Sequence, residues 1–70
     1  MSEWPSTKSR HVFATLLRLG WRIKHQRGSH IVLENFDGRK YIWAFHDGEE
    51  IGPRMLARIS KRTGLTPDNL

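Results

Sequence analysis

The tetrapeptide Arg27-Gly28-Ser29-His30 holds the residue types best suited to chemistry in this chain. Histidine exchanges protons near neutral pH, and His30 is delivered by a tight basic turn to the head of the apolar run Ile31-Val32-Leu33. Arg22, Lys24 and Arg27 stand close to it in sequence. An imidazole to move a proton, with cations to hold phosphoryl oxygens, is the equipment for acid–base chemistry on a phosphate-bearing substrate. The same pattern fits a plainer role, that of a surface or hydrogen-bonding histidine at a strand start. A zinc site built on His25 and His30 is not expected, because the histidines show no recognisable ligand spacing and the chain has no cysteine.

Positioning such a site falls to 70 residues, enough for one domain spanning 1–70 and for burial of about 60% of the surface the unfolded chain exposes. The absence of cysteine rules out disulfides and thiol redox chemistry, and a cytoplasmic address is the expectation. Residues 1–6 show neither a basic nor an apolar targeting segment, and no apolar run approaches the roughly 18 residues of a membrane span. The chain therefore reads as soluble and unprocessed. Twelve Lys and Arg against seven Asp and Glu give a formal charge of +5, which favours anionic partners, nucleic acid first among them. Solubility alone is the competing explanation for that charge. The distribution is uneven: basic residues dominate 8–40, Asp47-Gly48-Glu49-Glu50 is acidic, and Arg54, Arg58, Lys61 and Arg62 are basic again.

Val12, Phe13, Leu16, Leu17 and Leu19 recur at helical spacing, with Ser6 or Thr7 placed to cap the amino end and Gly20 to close the other. His11 falls on the solvated side of that helix. Trp21, Ile23 and His25 then alternate with Arg22 and Lys24, as in a half-exposed strand. The turn at Gln26-Arg27-Gly28 and the run 29–34 complete a hairpin, and Asn35-Phe36-Asp37-Gly38 leads into a third strand over 39–46. Residues 46–52 read as a polar loop, after which Gly52-Pro53 starts a second helix with Met55, Leu56, Ile59 and Thr63 on one side. Gly64 ends it, and Thr66-Pro67-Asp68-Asn69-Leu70 supports a turn or a single helical turn. The order is α-β-β-β-α. An α+β two-layer sandwich follows, a three-stranded antiparallel sheet with both helices on one face and the other face open. Tyr41, Trp43 and Phe45 share a face of the third strand, which suits packing against the helices better than a base-stacking platform. Ile42 and Ala44 then point outward with Lys40 and His46.

Leu16-Leu17-Arg18-Leu19-Gly20-Trp21, Arg27-Gly28-Ser29-His30, Asp37-Gly38-Arg39, Phe45-His46 and Leu56-Ala57-Arg58-Ile59 with Gly64-Leu65 occur in one order over nearly the whole chain. Together they resemble the HicA family of small bacterial toxins, the mRNA interferases of type II toxin–antitoxin systems, which have a fold like the double-stranded-RNA-binding domain. The chain departs from the family at Trp43-Ala44, where a Val-Pro pair is common, and in its short segment after Leu65. The resemblance implies a metal-independent endoribonuclease acting on mRNA without a cofactor and inhibited by a cognate HicB-type antitoxin. It gives the catalytic role to His30. Lys24, Arg27, Ser29 and the Gly28 amide are then the candidates for gripping phosphate, with His46 a further RNA contact. The donor of a proton to the leaving 5′ oxygen stays open among His46, His25 and solvent, His46 being favoured for proximity. His46 fits a strand-end cap or a neighbour of Trp43 equally well. The alternative function is a nonenzymatic RNA-binding module of the same fold, and a third is a protein-interaction domain whose charge is incidental.

Overall fold

A computed structural model describes residues 3–70; Met1 and Ser2, the head of the stretch read above for a targeting signal, lie outside the described residues. Among the described residues the chain runs through Thr7–Lys8 (β1), Ser9–Arg18 (α1), Arg22–Arg27 (β2), His30–Glu34 (β3), Lys40–Trp43 (β4), Glu50–Ile51 (β5) and Pro53–Thr63 (α2), and ends in a 3-10 turn at Pro67–Asn69. Strands β2, β3 and β4 form an antiparallel meander in that order, and β1 pairs with β5 as a separate two-stranded ribbon. The helices lie on one face of the meander. This is the expected α+β sandwich with one addition, the ribbon.

The ribbon corrects two expectations. Thr7 does not cap the first helix but pairs with Ile51, as Lys8 does with Glu50, so the segment read as a polar loop contains a strand whose Ile51 is buried in the core. The N-cap of α1 is Lys8, which makes no side-chain capping bond, and Ser6 is equally uninvolved. The orphan groups of that helix end are satisfied across the ribbon instead: the Ser9 amide donates to the Glu49 carbonyl at 2.8 Å, and the Ser9 hydroxyl donates to the His46 carbonyl. At the other end, Gly20 adopts φ 107, and the Gly20 and Trp21 amides donate to the carbonyls of Leu17 and Leu16. That reciprocal pair is a Schellman closure, and it turns the chain so that Trp21 drops into the core beside Leu16. Leu17 and Leu19, counted in the apolar stripe from sequence, lie on the exposed side of this closure.

The β2–β3 hairpin turns through Gly28 and Ser29, with Arg27 and His30 directly paired. Gly28 has φ 59 and among the described residues no non-glycine residue has positive φ, the pattern of a type II′ loop. Counted back from this turn without interruption, Lys24 would stand opposite the fully buried Leu33 and Ile23 opposite Glu34. A bulge at Lys24 prevents that: the pairs are Gln26↔Ile31 and His25↔Val32, then Ile23↔Leu33 and Arg22↔Glu34. The extra residue keeps an ammonium off the core face, where an unpaired charge is costly, and returns Ile23 to it. Ile23 still has 51% of its surface exposed, because β2 is an edge strand whose residues are all exposed.

The core gathers Val12 and Leu16 from α1, Leu56 and Ile59 from α2, Leu33 and Trp43 from the meander, Ile51 from β5, and Trp21 and Leu65 from the connections. The Trp21 indole donates to the Thr63 carbonyl at 3.2 Å, tying the end of α1 to the last turn of α2. Gly64, at φ 80, then closes α2 by donating to Ser60. Tyr41, Trp43 and Phe45 face the helices as expected: Trp43 is buried, with Phe13, Tyr41 and Phe45 ring centroids 5.4, 6.5 and 4.9 Å from its own. Ile42 points the other way and leaves 61% of its surface exposed.

Leu33 sits at the centre of this packing, so Leu33→Ala is expected to cost about 2–5 kcal/mol in urea unfolding. Burial disfavours the Tyr41 phenolate and raises its pKa above the ordinary 10.0, while Arg62 and Arg58 pull weakly the other way. The unfolded chain therefore loses this proton first. Stability should fall as pH rises past about 10 and go on falling until the folded phenol has ionised. Tyr41 is the one tyrosine in the chain, so phenolate absorbance reads it alone, and Tyr41→Phe should remove this part of the alkaline destabilisation.

Candidate active site on the open sheet face

Alternation and pairing decide which side chains meet on the uncovered face. Residues directly opposite share a face, as do residues two apart on one strand. Arg27↔His30, His25↔Val32 and Val32↔Ile42 therefore bring five side chains together across three strands. They line an open hollow of about 400 Å3 whose floor is Val32 and Ile42 and whose polar groups are His25, Arg27 and His30. Gly28 and Ser29 form the turn between Arg27 and His30, next to the lining, and the Gly28 carbonyl accepts a bond of 3.2 Å from the Gln26 side-chain amide.

The electrostatics divide the basic residues. Lys24 is paired with Glu34 at 3.5 Å and does not line the hollow. Among the described residues no carboxylate pairs with Arg27, and neither His25 nor His30 is fixed by a side-chain hydrogen bond or ion pair. A guanidinium without a carboxylate beside two imidazoles can bind an anion and move protons around it. Among the described residues no three His, Cys, Asp or Glu groups converge as a metal-binding cluster.

His46 is not in this arrangement. Strand β4 ends at Trp43, three residues before it, and the chain bends toward the start of α1. There the His46 amide donates to the Glu49 carboxylate at 3.1 Å, and its carbonyl accepts from the Ser9 hydroxyl and the Glu49 amide. His25 takes the place beside His30 that proximity in the strand order suggested for His46. Alternation from Trp21 through Ile23 put His25 on the core face, and the bulge at Lys24 reverses it. The sequence did carry a signal for this: the register counted from the Arg27–His30 turn and the inward placement of Trp21 and Ile23 differ by one residue, which only an insertion reconciles.

A second hollow, of about 250 Å3, lies over the helical side at Tyr41, Met55, Arg58 and Arg62. The two arginines are one helical turn apart on α2 and stand next to the Tyr41 phenol.

No curated protein matches the chain significantly. The family model described as the HicA toxin of bacterial toxin–antitoxin systems matches residues 9–65. That span runs from the first residue of α1 to the buried Leu65 after α2, and so takes in both helices, the whole meander and the hollow. On the strength of that match, this chain belongs to the HicA toxin family.

Proposed function

We propose that the protein is a metal-independent endoribonuclease that cleaves mRNA in the cytoplasm, uses His30 for proton transfer, and is held inactive by a cognate antitoxin of the HicB type. The observation that carries this reading is the hollow on the open sheet face, where His30 stands beside an Arg27 free of carboxylate partners. An RNA strand crossing this face meets an apolar floor, Val32 and Ile42, suited to a ribose or base, with the basic turn at one side. Arg27 holds non-bridging phosphoryl oxygens, and the Gly28 and Ser29 amides of the turn add donors. His30 removes the proton from the 2′-hydroxyl, which makes that oxygen the nucleophile and requires no metal. Lys24 contributes positive potential to the strand, tempered by Glu34. An inhibitor that laid acidic groups over Arg27 would close the hollow and cover His30 together.

With chelator present, the wild-type protein is expected to cleave RNA. His30→Ala should lower the rate by about 10²- to 10⁴-fold, while retaining most RNA binding. RNA left intact by a wild-type protein that binds it would replace the enzyme reading with the nonenzymatic module. Arg27→Ala should weaken binding to single-stranded RNA and reduce the slope of log affinity against log salt by about 0.7, one phosphate contact. An affinity for RNA that does not change with salt would remove nucleic acid as the partner.

A further inference from the structure

We infer that His25 is the second catalytic residue, the general acid that protonates the leaving 5′ oxygen; this rests on the endoribonuclease reading above. His25 and His30 lie on neighbouring strands and one face, as diagonal neighbours: His25 is opposite Val32, and His30 is two residues before Val32 on β3. Backbone positions so related are about 7–8 Å apart, a separation that lets two imidazoles stand on opposite sides of one phosphodiester. That is the geometry an in-line displacement needs, since the attacking and leaving oxygens occupy opposite sides of phosphorus. Arg27, lining the same hollow, faces the oxygens between them.

The bulge gives this placement its origin. It puts His25 on the open face and leaves Lys24 outside the hollow, paired with Glu34. Among the described residues, His25, His30 and Arg27 are the ionisable side chains that line the hollow; a guanidinium does not give up its proton, which leaves His25 as the side chain there to donate one while His30 accepts. His46, held by its backbone at the start of α1, does not reach this lining.

The step balances without a co-reactant. The 2′ oxygen gives its proton to neutral His30 and forms a bond to phosphorus. The bond from phosphorus to the 5′ oxygen breaks, and that oxygen takes a proton from His25 in its imidazolium form. The products are a 2′,3′-cyclic phosphate and a 5′-hydroxyl, and exchange with solvent restores both imidazoles.

The test changes the leaving group. An RNA carrying a single 5′-bridging sulfur at the linkage the wild-type protein cleaves departs as a thiolate, which needs no proton. His25→Ala and His25→Gln are expected to lose about 10²- to 10⁴-fold on the ordinary linkage and to cleave the sulfur linkage at near wild-type rate. His30→Ala should lose activity on both. His25 is exposed, so circular dichroism of both variants is expected to match the wild type. Ordinary RNA cleaved at the wild-type rate by the His25 variants, or an equal loss on both linkages, overturns the assignment and leaves His30 in place. Wild-type protein inactive on both linkages overturns both readings.

Discussion

A three-stranded sheet accompanied by α1 and α2 on one side has one face that nothing covers, and the arrangement of this molecule follows from that limit. The apolar content of a 70-residue chain suffices for one layer of contact between helices and strands. Leu33, Trp43, Leu16 and Leu56 occupy it. Side chains of the opposite parity are consequently turned to solvent, and on β2 and β3 they include Arg27, His25 and His30 beside Val32. The site is thus a by-product of the same alternation that forms the core.

Maintaining the single apolar layer depends on local devices at the ends of the elements. The Schellman closure at Gly20 aims Trp21 inward, and its indole then spans to Thr63 at the end of α2. The β1–β5 ribbon supplies hydrogen-bond partners that Ser9 would otherwise lack and brings Ile51 into the core. Among the described residues no buried side-chain polar atom is left without a partner, which removes a common cause of instability in small domains.

The bulge at Lys24 links packing to chemistry. It answers a conflict between two demands on β2, apolar contact with Leu33 and the register imposed by a two-residue turn. Its consequence reaches the open face: two imidazoles and a guanidinium share one concavity, while the Lys24 ammonium pairs with Glu34. Basic side chains also lie on the helical side, where Arg58 and Arg62 of α2 line the second hollow, and a formal charge of +5 favours anionic partners.

Much of this was legible from residue order. Helical spacing, the turn residues Gly28 and Gly38, the Pro53 start and the Gly64 stop determined the order of the main elements, because each depends on chemistry within a few residues. The same local rules placed His30 beside Arg27 at the hairpin and turned Trp43 toward the core. Two features were decided only by tertiary structure, and a third shows in the sequence only as a conflict of registers. Thr7 and Lys8 became a strand because Glu50 and Ile51 offered a partner more than 40 residues away. His46 was drawn toward Ser9 by the Ser9 hydroxyl, which donates to its carbonyl across 37 residues of sequence, a contact no local pattern encodes. His25 changed faces because the register of a hairpin and the burial of Trp21 and Ile23 must be satisfied together, and one strand of regular pleat cannot do both.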